Sequence, residues 1–257
     1  MNGLGIVAAF AAESRHLGPA MPHSGGRAIR PGEGLATLAD GTLLVVSGMG
    51  GAAASRGARQ LVDAGAKALL SWGMAGGLDP ALPAGALFLP GEVLSAGGAI
   101  YQTAREWREA LAARVAPCDP VTGGRLLTSR RAIASAADKA IAFRETGASA
   151  VDMESAAIAE VARAQGLPFL AVRAIVDTAE DPLPKPAITA AGESTVRLSR
   201  LLAALARAPE DLPALIRLMR RYRAASRSLA AVARAGIGQH PLVLSVDLRE
   251  LALDQPV

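Results

Sequence analysis

Short runs of consecutive apolar residues alternate along the chain with longer stretches in which apolar positions recur three and four apart. The runs at residues 3–10, 42–47, 68–71, 86–89, 125–128, 148–152 and 169–176 have strand length and strand composition, so they predict buried β-strands. Residues 52–64, 105–115, 133–146 and 154–165 carry the helical pattern, and the last is closed by Gly166 with Pro168 just beyond. Strands apolar on both faces, alternating with helices over short Gly-rich joints, predict an α/β fold with a mixed, mostly parallel central sheet flanked by helices. Residues 190–206 read as the closing helix of that domain. Residues 212–235 give one or two amphipathic helices, with Leu215, Met219, Tyr222, Leu229 and Val232 near helical spacing and arginines between them.

Composition narrows the picture. A chain of 257 residues buries one sizeable core, and with aromatics at 3% that core is built from Ala, Leu and Val. Cys118 is the single cysteine, which excludes an internal disulfide framework and fits a reducing cytoplasm. His16, His23 and His240 lack the spacing of metal ligands, so neither a metal nor a cofactor is expected. The apolar opening runs straight into Glu13 without a basic leader, as a first strand does and a signal peptide does not. No run approaches the ~20 apolar residues of a membrane span.

Charge is uneven. Between Arg197 and Arg234 nine arginines face only Glu210 and Asp211, a surplus of seven; with the whole chain at +4, the remainder carries −3. A mildly acidic body argues against nucleic acid as a partner, since the basic residues are not interleaved with aromatics for stacking. The basic helix fits two readings equally: an outer face packed on the body, or peripheral contact with an anionic membrane.

Two acids mark a candidate site. Glu154 stands where the 154–165 helix begins, where unpaired backbone N–H groups and the helix dipole favour a carboxylate. Asp177 follows the apolar run 169–176, and ligands of open α/β sheets bind at the carboxyl ends of such strands. The prolines of residues 181–186 make a rigid loop placed to cover that crevice. Two glycine loops face the same way: Gly48 and Gly50 after one strand, and Ser71 through Gly77 after another, where glycine lets a backbone approach a ligand closely. Gly48, Gly50 and Ala53 satisfy G-x-G-x-x-A, but no acid ends the next strand to hold a ribose, so a dinucleotide site is disfavoured. Either loop alone is equally well a set of tight turns.

Taken together, Gly5-Ile-Val…Glu13, Ser47-Gly-Met-Gly, Ala75-Gly-Gly-Leu, Val151-Asp-Met-Glu-Ser-Ala-Ala and Val172-Arg-Ala-Ile-Val-Asp177 resemble the purine nucleoside phosphorylase and nucleosidase superfamily, particularly its methylthioadenosine/S-adenosylhomocysteine nucleosidase branch. The order is kept over about the first 205 residues. The stretch from Leu201 to Arg217 resembles the hopanoid-associated phosphorylase group, to which adenine release from adenosylhopane is assigned. The resemblance implies a three-layer nucleoside phosphorylase-like fold, a catalytic domain at residues 1–206, and a basic helical extension and tail at 207–257.

It also implies roles. Glu154 would hold the ribose hydroxyls, Met153 the face of the sugar, and Asp177 the purine N7 and exocyclic amine. Glu13 would activate water, although it also reads as an ordinary acid at a helix start. Met74, Ala75, Gly76 and Gly77 would line the substrate, with Ile133 in the base pocket. Gly48, Ser71 and Arg15 are candidate contacts to phosphate or water. The superfamily's phosphorylases carry arginines where this chain has Glu13 and Ser71, and serine where it has Met74, so hydrolysis is favoured over phosphorolysis. Arg173, inside a buried strand, is expected to pair with an acid. The expected activity is cleavage of the N-glycosidic bond of an adenine nucleoside with an apolar 5′ group. Phosphorolysis of that substrate, methylthioadenosine or S-adenosylhomocysteine cleavage, and a non-catalytic adenosine-binding module stay open. A homo-oligomer is expected, as is usual in the superfamily.

Overall fold

A computed structural model describes residues 3–22, 34–116, 121–182 and 212–237; the side chains of 20–22 and 212–215 are outside the description. The expected closing helix at 190–206, the proline-rich part of the loop at 183–186, Cys118, His23, His240 and the tail beyond 237 lie outside the described residues.

Every predicted strand is present. β1 (Leu4–Ala8) is flanked in parallel by β4 (Leu43–Val46) and by β5 (Ala68–Gly77), and β5 is paired in parallel with β12 (Phe169–Asp177). β10 (Arg125–Thr128) lies parallel to both β11 (Ala148–Asp152) and β7 (Glu92–Ser95). Antiparallel pairs bring in β2 (Ala20–Pro22), β3 (Leu35–Leu38) and β8 (Ile100–Gln102) at the rims, while β6 (Leu87–Phe88) and β9 (Val121–Thr122) extend the branch at β12. The sheet is mixed and its central strands are mostly parallel.

The helices sit on both faces. β5 sends Leu69 and Ala75 into one core with α2 (Gly51–Asp63) and α5 (Ser155–Ala164), and sends Ala68, Leu70 and Trp72 into the other with α3 (Arg105–Val115) and α6 (Leu212–Ala235). β12 alternates in the same way, which is the period-2 rule acting on a strand covered on both sides. A short first helix, α1 (Ala11–Ser14), carries Glu13, and α4 (Ala136–Thr146) packs over β11 beside a small satellite core.

One expectation is corrected. The Ser71–Gly77 segment is no loop: it is the second half of β5, which pairs with β1 through Trp72 and meets β11 antiparallel at Gly76 and Gly77. Gly73 sits at that change of partner, in a φ of 158° that a side chain rarely adopts. Within the described part of the basic region, residues 212–235 form one helix, one of the two forms expected, and its second half is part of the fold: Ala225, Leu229 and Val232 are fully buried in the second core, which favours the packed reading. Its first turns stand out, with Ile216 at 45% and Met219 at 48% exposure.

Candidate functional site

Glu13 and Glu154 line one small cavity, together with Ser71, Trp72, Gly73, Met74 and Arg173. About 10 Å³ of it is open to a water centre, room for roughly one water molecule.

Glu13 is placed by two backbone donors. Its Oε2 accepts from the N–H of Phe10 at 3.1 Å, closing the start of α1, and its Oε1 accepts from the N–H of Met74 on β5 at 3.0 Å. Trp72 fixes the same turn, its indole N–H donating to the Glu13 carbonyl at 2.8 Å. A side chain at Gly73 would put Cβ 2.8 Å from Glu13 Oε1, so glycine there makes room for the acid. Burial pushes the Glu13 carboxyl up from its ordinary range, against the backbone bond from Met74 and the charge of Arg173. Glu13 is thus both the helix-start acid and a lining of the cavity.

Glu154 is held by the glycine loop before α2, with the N–H of Gly50 donating to its Oε1 at 2.7 Å. Gly50 adopts φ 93°, the left-handed conformation that turns its N–H inward. Burial first, and the nearby Asp152 second, push Glu154 up to about 7. The helix N-terminus itself is satisfied elsewhere: Asp152 Oδ2 accepts from the Ser155 N–H at 3.2 Å, and Thr128 Oγ1 accepts from the Ala156 N–H at 3.0 Å. Asp152 therefore does the capping work and leaves Glu154 to face the cavity.

Arg173 finds its acid in Asp152. Nε and Nη2 donate to Asp152 Oδ2 at 3.0 and 2.7 Å, and Nη2 also reaches Ser71 Oγ at 2.6 Å and Ser155 Oγ at 2.9 Å. Thr128 donates to the other Asp152 oxygen at 2.7 Å. Ser71 is thereby part of a buried network beneath the cavity. Arg15, the other candidate anion ligand, is turned outward: Nε donates to the Ala12 carbonyl at 2.7 Å and Nη2 to the Tyr222 hydroxyl of α6 at 3.1 Å.

Asp177 ends β12 opposite Gly76, where an added Cβ would lie 3.2 Å from its Oδ2. It is not among the residues lining the cavity of Glu13 and Glu154, so the two glutamates meet and Asp177 stands apart from them along β5. Its Oδ2 is ion-paired with Lys139 of α4, a lysine with no solvent exposure, which the sequence reading passed over. Lys139 Nζ also donates to the carbonyls of Thr178 at 2.7 Å and Asp181 at 3.0 Å. Burial raises the Asp177 carboxyl despite the opposing charge and hydrogen bond of Lys139. Asp181 in turn pairs with Arg221 of α6. Lys139 and Asp152 carried no local signal beyond being one charge among several on a mixed helix and one at a strand end.

Of the remaining residues, Met153 and Met74 are half-buried, Ala75 is in the core, Gly48 takes φ 81° in the loop before α2, and Ile133 packs on the satellite core of Leu78, Leu127 and Val151. His16 contacts Ser226 of α6 at 2.8 Å. Among the described residues no group of three or more His, Cys, Asp or Glu gathers as metal ligands, and no helix is long and apolar enough to cross a membrane.

A family model described as the phosphorylase superfamily matches residues 35–208. Similar solved structures include an S-adenosylhomocysteine nucleosidase from Streptococcus pyogenes in complex with 5-methylthiotubericidin (23% identity, covering 69% of this chain and 84% of that one, TM-score 0.58). A 5′-methylthioadenosine/S-adenosylhomocysteine nucleosidase from Helicobacter pylori with a butylthio Immucillin-type ligand shares 18% identity over 90% of this chain and 97% of its own, with a TM-score of 0.64. The futalosine hydrolase of Helicobacter pylori gives 16% identity, the same coverages of 90% and 97%, and a TM-score of 0.64. No curated protein matches the chain in sequence.

Proposed function

The chain belongs to the phosphorylase superfamily, and from that premise we propose that it hydrolyses the N-glycosidic bond of an adenine nucleoside. The observation that carries the reading is the shared cavity of Glu13 and Glu154, two buried carboxylates with raised pKa and no uncommitted cation beside them among the described residues. Phosphate needs cations or hydroxyls to grip it, and here Arg173 is committed to Asp152 while Arg15 points to Tyr222. An acid at position 13 repels phosphate and suits water.

In this reading Glu154 takes the ribose hydroxyls and Met153 the sugar face. Glu13 removes a proton from water as its oxygen attacks C1′; burial makes Glu13 a stronger base than an exposed glutamate. The C–N electron pair leaves on the purine, which takes a proton at N7 from Asp177, and the two carboxyl groups re-equilibrate through solvent. Water entering opposite the leaving group is the geometry of an inverting hydrolase. The solved nucleosidases whose fold it shares support the substrate class.

The preferred substrate is an adenine nucleoside with a large apolar 5′ group, adenosylhopane within the resemblance above, acting at a membrane surface. Exposed Ile216 and Met219 beside Arg217 and Arg220 support it, since basic and apolar groups together suit an anionic lipid surface. The deciding experiment follows the sugar product from adenosylhopane and from methylthioadenosine, with and without phosphate. Free sugar in both conditions is expected; strict phosphate dependence overturns the hydrolytic assignment, and binding of adenosine without adenine release overturns catalysis. Ile216→Gln with Met219→Gln lowers turnover of liposome-borne substrate and leaves that of a soluble nucleoside intact, and equal loss removes the membrane argument.

A further inference from the structure

Lys139 takes no direct part in that chemistry, yet it is a cation seated in the interior with three acceptors around one ammonium: Asp177 Oδ2, the Thr178 carbonyl and the Asp181 carbonyl. That is the full donor capacity of a lysine. A lysine is rarely buried completely without a specific partner. Among the described residues, Asp177 Oδ1 has no hydrogen-bond donor, and both of its oxygens lie beside Gly76, where an added Cβ would stand 3.2 Å from Oδ2 and 3.4 Å from Oδ1. The pair is asymmetric, with one oxygen committed to α4 and the other left for whatever enters along β5.

We propose that Lys139 is the positioning residue of the base-side acid: it fixes Asp177 Oδ2, leaves Oδ1 to the purine, and stabilises the carboxylate that remains once Asp177 has given its proton to the departing base. This rests on the nucleosidase reading above. As the glycosidic electron pair moves to the purine, the proton moves from Asp177 to N7 and adenine leaves neutral. The negative charge then stays on Asp177, next to the Lys139 ammonium instead of in an apolar strand end, where an unpaired charge is costly. The other charged groups around Asp177 are Asp181, on the loop after β12, and Arg221, reaching in from α6; they oppose each other and leave Lys139 as the dominant partner. Its backbone bonds to Thr178 and Asp181 also pin the start of that loop.

The test compares wild type, Lys139→Met, Asp177→Asn and the double variant, reading adenine release against pH. Without the ammonium Asp177 holds its proton more tightly. Lys139→Met therefore lowers kcat by about tenfold or more, the scale of a weakened acid, and moves the alkaline fall of kcat/KM to higher pH. Asp177→Asn abolishes that limb, and adding Lys139→Met to it changes kcat less than twofold. The double variant replaces a buried ion pair by neutral groups of similar size and so folds even if Lys139→Met alone is unstable. A limb that stays in place in Lys139→Met, or full multiplicative loss in the Asp177→Asn background, overturns the proposal. Carbon-13 NMR titration of the Asp177 carboxyl separates the two readings. An upward move in Lys139→Met with no adenine release by wild type refutes the nucleosidase reading and keeps the pair, whereas no move refutes the pair whatever the activity.

Discussion

Replacing Arg173 by Met isolates the network beneath the cavity. Asp152 Oδ2 loses two donors, at 3.0 and 2.7 Å, and Ser71 and Ser155 each lose one. Both Arg173 and Asp152 are almost without solvent exposure, so water does not replace the lost partners. Removing one partner of a buried pair costs about 3–5 kcal/mol. Asp152 retains the Thr128 hydroxyl and the Ser155 N–H, which places the expected loss at about 3 kcal/mol. For a chain of this size that lowers Tm by roughly 6–12 °C. Guanidinium denaturation measures it as a lower midpoint at unchanged slope. Arg173→Met with Asp152→Asn should regain most of the loss, because no unpaired charge is left behind. A single variant costing under about 1 kcal/mol, or a double variant no more stable than the single, would refute the claim that this ion pair holds the floor of the site.

Other outcomes follow from the same geometry. Glu154 has its carboxyl raised from 4.5 to about 7, so the folded protein holds a proton that the unfolded chain has released, and stability falls as pH rises from 4.5 through 7. Glu154→Gln should flatten the denaturation midpoint over that window, and an unchanged slope would place the titration elsewhere. Gly73→Ala drives Cβ to within 2.8 Å of the Glu13 carboxylate, so adenine release should fall by about 10²-fold, the scale of a 1 Å misplacement. Unaltered kcat would show that Glu13 tolerates the shift. Leu229→Ala on α6 opens a cavity in the second core and should cost about 2–5 kcal/mol in urea unfolding; a loss below about 0.5 kcal/mol would mean the helix is loosely docked.

Much of this fold was readable in advance because its central strands are buried on both faces and therefore apolar without interruption. Residues 125–128, 148–152 and 105–115 coincide with the observed elements. The short strands β2, β3, β7, β8 and β9 were missed, since two to four residues at a sheet margin leave no periodic signal. β5 was cut short at Ser71 because glycines read as a turn, whereas here they let one strand change partners and pass close to two acids. Motif order led to the expectation that Glu13, Glu154 and Asp177 meet around one site; the first two share a cavity, whereas Asp177 does not line it. The seat of Lys139 was not foreseen, because helix α4 has little amphipathic pattern and nothing local marks that its single lysine points inward.

Helix α6 begins beyond the family-matched region, yet within six residues it touches both sides of the crevice: Tyr222 and Ser226 meet Arg15 and His16 behind Glu13, and Arg221 meets Asp181 behind Asp177. A change at its outer surface thus reaches the surroundings of Glu13 and of Asp177 at once, and under the proposed reading drift in the C-terminal sequence would alter both acids without replacing either.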